Sequence, residues 1–208
     1  MSKSVCLLLF AVFSTCSFAQ HYIGVKGALG YSSIYAIPDF KKRDLQTLNY
    51  GLLYRYEHAG YAALQIETNY INKGFIREID TITMTPETTE RITSFELPVM
   101  AQGFIRLGIF RPYLTGGVTA GYILQRKVQE KGRKQTDYEY DEYDRRFEYG
   151  IAGGGGLGIT VSRVEIQTEL RYSFNFSFLR TPVIFGQTNK YLNPTQFTVS
   201  VSLLYRIN

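Results

Sequence analysis

The chain has 208 residues, formal net charge +5, 17 tyrosines, 14 phenylalanines and no tryptophan. That length allows one domain, and the mild, interspersed charge forms no basic helix or single-sign face, which excludes a nucleic-acid-binding footprint. The aromatic load suits strands and membrane-interface belts.

The first 19 residues read as a secretory signal peptide. Lys3 is a short basic region, residues 5–13 are unbroken apolar, and Ser17-Phe18-Ala19 is a small-x-small cleavage site before Gln20. The apolar run is too short to span a bilayer. The expected division is therefore a signal peptide over 1–19, cut between Ala19 and Gln20, and a β-barrel domain over 20–208. Cys6 and Cys16 both lie in the leader, so the mature chain is expected to have no disulfide. Lipoprotein processing at Cys16 is disfavoured by Phe13-Ser14-Thr15, a poor lipobox.

Eight strands follow, each with side chains alternating between an apolar and a polar face. Strand 21–31 sets Ile23, Val25, Leu29 and Tyr31 against Tyr22, Lys26 and three small residues. Residues 32–46 read as a polar loop, with Lys41-Lys42-Arg43-Asp44 as a solvated charge run. Strand 47–57 opposes Leu48, Tyr50, Leu52, Tyr54 and Tyr56 to Asn49, Arg55 and Glu57, and turns tightly at His58-Ala59-Gly60. Strand 61–75 opposes Leu64, Ile66 and Tyr70 to Gln65, Glu67 and Asn69. Residues 76–92 form a long connection that still alternates weakly, as an extended hairpin would. Strand 93–106 opposes Phe95, Leu97, Val99 and Ile105 to Glu96, Met100, Gln102 and Arg106. Pro98, which cannot donate to a ladder, is expected at a bulge.

After a turn at 107–111, strand 112–124 sets Leu114, Val118, Tyr122 and Leu124 against Thr115, Thr119 and glycines. Residues 125–146 are basic in their first half and acidic in their second. A hairpin about 132–136 would oppose the two limbs, and Tyr138, Tyr140 and Tyr143 alternate with the acids. Strand 147–161 carries Glu148 and a run of glycines on its polar face. Ser162-Arg163 is a two-residue turn into 164–174, where Val164, Ile166, Leu170 and Tyr172 oppose Glu165, Gln167, Glu169 and Arg171. Residues 175–194 read as the last long loop. Strand 195–207 sets Phe197, Val199, Val201, Leu203, Tyr205 and Ile207 against Thr198, Ser200, Ser202 and Arg206.

Long and short connections alternate, no segment has helical periodicity to cover an open sheet, and strands of 11 or more residues suffice to cross a bilayer when tilted. The prediction is an all-β, closed, antiparallel, eight-stranded transmembrane β-barrel with up-and-down meander order, located in the outer membrane. Its apolar face meets lipid and lipopolysaccharide. Its polar face becomes a side-chain-filled lumen holding a structural ion-pair network of Lys26, Arg55, Glu57, Glu67, Glu96, Arg106, Glu148, Glu165, Glu169, Arg171 and Arg206.

Several segments carry a resemblance: Ile23-Gly24-Val25-Lys26-Gly27, the TNYINKGF of 68–75, Phe95-Glu96-Leu97-Pro98, Arg111-Pro112-Tyr113-Leu114 with Gly116-Gly117, 149–158, and Glu169-Leu170-Arg171-Tyr172-Ser173. Together they resemble the PorT-like outer-membrane β-barrel family of Bacteroidetes across nearly all of the mature chain. The resemblance implies a barrel and, through the member that named the family, a link to protein secretion with a periplasmic or secretion-machinery partner.

Other chemistries fare worse. Gly153-x-Gly155-x-x-Gly158 matches the dinucleotide fingerprint by letter, but the apolar alternation runs through it and no helix follows, so no cofactor is expected. Asp137-x-Glu139-x-Asp141 starts like a calcium loop, yet Glu142 stands where a sharp turn needs Gly and Arg145 follows at the ninth position, so no metal site is expected. The histidines, His21 and His58, fall at the short-turn end, away from an external rim, so no catalytic residue is expected. Two alternatives to a structural or protein-interaction role stay open. One is a rim enzyme acting on lipid or peptide. The other is a soluble secreted barrel binding an apolar ligand, with Glu165, Glu169 and Arg171 outside and Leu170 and Tyr172 inside.

Overall fold

A computed structural model describes residues 20–37, 42–58, 60–78, 87–130, 136–137, 146–177 and 191–207. The leader expected over 1–19 lies outside these residues, as do Tyr138, Tyr140 and Tyr143. Nine strands occur among them: β1 Gln20–Ile37, β2 Lys42–His58, β3 Ala62–Glu78, β4 Glu87–Phe104, β5 Phe110–Glu130, β6 Thr136–Asp137, β7 Phe147–Val161, β8 Val164–Asn175 and β9 Tyr191–Arg206. Every pairing is antiparallel. All strands except the two-residue β6 build the barrel, which closes because β1 pairs with both β2 and β9 and β4 pairs with β5.

The register fixes the barrel's shape. Partners followed from Tyr22 run to Arg55, Gln65, Met100, Gly117, Ala152, Ser173 and Gln196, and return to β1 at Ser32, ten residues on. A stagger of that size over eight strands gives a tilt of about 40° and a diameter of about 17 Å between backbones. Side chains from opposite walls meet across such a bore.

The period-2 pattern sorts the two faces. The burial of β8 alternates along its length until the last turn, with Glu165, Gln167, Glu169 and Arg171 buried and Val164, Ile166, Leu170 and Tyr172 exposed. Arg171 is 5% accessible and Leu170 53%, so the reversed arrangement of a soluble barrel does not occur. The outer wall carries a continuous apolar band. Near the long-connection end it is bordered by Tyr50, Tyr70, Phe95, Tyr122 and Phe147, successive partners across β2, β3, β4, β5 and β7. Tyr205 marks the other border on β9. The eight steps from Phe197 to Tyr205 span about 20 Å along the axis at this tilt.

The strands outrun their sequence-based limits at one end. The segment expected to be a loop at 32–46 belongs mostly to β1 and β2: Ser32 and Ile34 are buried inside, Tyr31 and Tyr35 lie outside, and Ile37 partners Tyr191. Of the charge run, Lys42, Arg43 and Asp44 are in β2 and Lys41 lies outside the described residues. The connection at 76–92 is indeed a prolonged hairpin, with Glu78 opposite Glu87. The end of the last loop, from Tyr191, is already β9. Polar residues read as loop here because extramembranous strand lacks the apolar face on which the assignment rests.

The short end is tight. Leu107 and Phe110 exchange both backbone bonds, at 2.8 and 3.1 Å, so the turn is Gly108-Ile109 and Phe110 and Arg111 belong to β5 rather than to the turn. Gly108 has φ +64° and Gly60 φ +76°. Pro98 does not sit at a bulge. The β3–β4 ladder keeps one register from Ile66↔Val99 to Asn69↔Glu96 and omits the bridges between. The irregularity on β4–β5 falls instead between Thr93↔Gln125 and Ser94↔Ile123, where Leu124 is the extra residue. The charged hairpin pairs Lys127 with Asp137 and Val128 with Thr136, a register whose midpoint is position 132, the first of the expected 132–136.

Candidate functional site

The polar face converges on the lumen in four layers. Beside the short turns, Glu165 accepts two parallel bonds from Arg55, at 2.9 and 2.6 Å, and two from Arg111 Nη1, at 2.9 and 3.1 Å. Gln167 adds a donor at 2.7 Å. Glu57 meets Arg111 at 3.3 Å, Arg55 at 3.8 Å, and Arg106. The guanidiniums are also held by faces: Arg55 lies 4.1 Å from the Tyr22 ring centre and Arg111 3.6 Å from that of Phe104.

The middle layer is built on Glu67, which is fully buried. Arg171 donates to both its oxygens at 3.0 and 2.6 Å, Lys26 approaches at 3.3 Å, and Gln65 and Asn69 donate at 2.7 and 2.9 Å. These last two are the next inward positions on the same strand. Glu169 lies 3.3 Å from Lys26 and 2.7 Å from Arg171 Nε, and accepts from Tyr113 at 3.3 Å. Tyr113 fits because Gly156 stands opposite: a Cβ there would lie 2.7 Å from the phenol.

The third layer places Lys73 between Glu148, at 3.0 Å, and Glu96, at 3.3 Å, with Ser94 donating to Glu148 at 2.8 Å. The fourth pairs Arg126 with Glu90 at 2.6 Å. Among the described residues, the lumen cations in ion pairs are Lys26, Arg55, Lys73, Arg106, Arg111, Arg126 and Arg171. The acids are Glu57, Glu67, Glu90, Glu96, Glu148, Glu165 and Glu169. The two sets are equal in number. That equality is what a low-dielectric bore requires, since a buried charge without a partner is expensive.

Ten of the eleven expected residues take part. Arg106 does so from the rim, with 47% of its side chain accessible. Arg206 is the exception: it is half-buried at the mouth, lining a cleft of roughly 190 Å³ with Gln20, Arg106 and Arg111, and has no ion pair with a described residue. Four members were missed. Lys73 continues the inward parity of Glu67 and Asn69, and Arg111 that of Thr115, so both were legible by extension. Glu90 lay in the assumed loop. Arg126 points inward only because Leu124 shifts the parity of β5 by one.

Gly153, Gly155 and Gly158 lie within β7, which turns straight into β8, so the fingerprint lacks its helix. Of the calcium-like acids only Asp137 is described, and it accepts from Gln125 at 3.1 Å. Among the described residues no cluster of three metal-ligating side chains occurs.

The apolar outer band, closed meander and charged plug define a membrane-spanning barrel. A family model described as "Outer membrane protein beta-barrel domain" matches residues 14–179, and the chain belongs to that family. It is thus an outer-membrane β-barrel protein. Among solved structures it is similar to Neisserial surface protein A, with TM-score 0.54, 12% identity, and 91% of this chain and 99% of that one covered. It is likewise similar to OprG of Pseudomonas aeruginosa, with TM-score 0.55, 12% identity, and 91% and 96% covered. At that identity the likeness concerns the fold. Comparison with curated proteins finds no match.

Proposed function

We propose that this barrel conducts nothing and catalyses nothing, and that its task is structural or protein-interacting, performed by its two rims. The observation that carries the reading is the lumen plug. Four layers of paired side chains reach across a barrel about 17 Å wide between backbones, and a lumen of eight strands is one that side chains fill. A signal peptide removed between Ala19 and Gln20 delivers the chain, and the short turns at 60–61, 108–109 and 162–163 face the periplasm. By its resemblance to the PorT-like barrels of Bacteroidetes, the partner docking there is a component of a protein-secretion machine.

The rim-enzyme alternative has weaker support. His21 and His58 sit at the short-turn end, and His21 Nδ1 is 2.6 Å from the Tyr54 hydroxyl, engaged on the outer wall. A general base of that kind is missing from the described part of the opposite rim.

Two measurements test the reading. Purified barrel in planar bilayers should give no stepwise conductance; regular ion steps would overturn the plug. Photo-crosslinkers placed at Ile109 and Arg163 in native membranes should capture a secretion component. Labelling by lipid alone from both positions would overturn the docking role.

A further inference from the structure

The outer wall carries one feature that neither the plug nor the turns explain. Arg91 on β4 and Lys127 on β5 are direct cross-strand partners and both point outward, just beyond the aromatic border of Phe95 and Tyr122. Like charges set directly opposite in a sheet repel, and outward residues at that level elsewhere on β4 and β5 are neutral. Among the described residues neither cation has an ion pair. The acid closest in register, Asp137, partners Lys127 through the backbone, but its carboxylate accepts from Gln125.

The two cations line an open cleft of roughly 380 Å³, together with the polar side chains of Gln46, Asn72, Thr93 and Gln125. The cleft exists because the β2–β3 ladder is interrupted between Asp44 and Tyr50. Asn72 spans the gap, donating from its side chain to the Leu48 carbonyl at 3.0 Å and accepting from Thr93 at 3.0 Å. Lys73 also borders the cleft, but its ammonium is held inside by Glu96 and Glu148, so the notch is polar and has two outward cations, in a wall that is otherwise apolar up to that height.

Its level identifies the occupant. Aromatic girdles mark the membrane interface, and the long-connection end of an outer-membrane barrel is external. A notch immediately beyond the girdle therefore lies among the headgroups of the outer leaflet. We propose that Arg91 and Lys127 form a site for a phosphate of an outer-leaflet lipid of the lipid A type. The phosphate bridges the two cations, Gln125 donates its second amide hydrogen to a remaining oxygen, and the acyl chains descend along Leu48, Tyr50 and Tyr70. Directly opposed residues hold their Cβ atoms about 5 Å apart, so one phosphate reaches both long side chains.

The test is native mass spectrometry of the full-length barrel, extracted in mild detergent and offered bisphosphorylated lipid A, dephosphorylated lipid A, or inorganic phosphate. Wild-type protein should retain the bisphosphorylated lipid, and Arg91→Gln/Lys127→Gln should retain about tenfold less. Arg163→Gln, at the opposite end, should match wild type. A heat-dependent gel shift kept by the double variant shows that it folds. Equal retention by wild type and double variant would overturn the site. So would equal retention of the dephosphorylated lipid, or displacement of lipid A by inorganic phosphate at matching concentration, which would make it a free-anion site.

Discussion

Removing Glu67 should be the most damaging single change in the lumen. Its carboxylate takes the paired bonds of Arg171 at 3.0 and 2.6 Å, and holds Lys26, Gln65 and Asn69. Glu67→Ala leaves two buried cations with Glu169 as their one remaining acid. Breaking a buried pair from one side costs about 3–5 kcal/mol. Because Glu169 still reaches both Lys26, at 3.3 Å, and Arg171, at 2.7 Å, the lower end of that range applies, about 3 kcal/mol. That is roughly a hundredfold in the folding equilibrium. Glu67→Gln, which keeps the shape and loses the charge, should fall between. The assay is urea titration of the purified barrel in detergent, with the heat-dependent gel shift as the measure of folded fraction. Arg171→Ala and the double variant complete a cycle. The double loss should be smaller than the sum of the singles by about 1–3 kcal/mol. A loss below about 1 kcal/mol for Glu67→Ala, or strict additivity, would refute the pairing.

Three further outcomes follow from the same geometry. Gly156→Ala should destabilise by about 1–3 kcal/mol in the same titration, because the new methyl runs into the Thr168 carbonyl oxygen and meets the Tyr113 phenol. Arg111→Ala should be destabilising while Arg206→Ala stays within about 0.5 kcal/mol, since the first bridges Glu57 and Glu165 and the second has no ion pair with a described residue. Deleting Leu124 should smooth the ladder and leave residue 126 in the lumen, because Ile123 opposite Ser94 and Gln125 opposite Thr93 then become ordinary neighbours. A cysteine placed at 126 should react slowly with a maleimide in both the parent and the deletion, and fast reaction in the deletion would show that Leu124 is not the extra residue.

How far the sequence reaches is visible strand by strand. In β8, where one face is lipid and the other lumen, the alternation of Val164 to Tyr172 named both faces and the length almost to the residue. At the long-connection end the same code is silent. Ser32, Ile34 and Glu90 line an extended tube whose outer side meets water and headgroups, so no apolar row marks the strand. A period-2 pattern also cannot register an inserted residue. Leu124 is as apolar as its neighbours, and nothing in the letters says that it is extra, so Arg126 could not be placed opposite Glu90. The pairing partners inside the lumen were equally illegible. Lys26 reaches Glu169 from 143 positions away through a stagger set by the closed register rather than by proximity in sequence.

The most direct measurement is spin-label accessibility along β9 in lipid bilayers, with labels placed one at a time at Val199, Ser200, Val201 and Ser202. Labels at Val199 and Val201 should be strongly relaxed by oxygen dissolved in the lipid and little by a polar nickel chelate. Those at Ser200 and Ser202 should be shielded from oxygen. The opposite parity, or four labels equally open to the chelate, would contradict a barrel that turns its apolar wall to lipid and its charges inward.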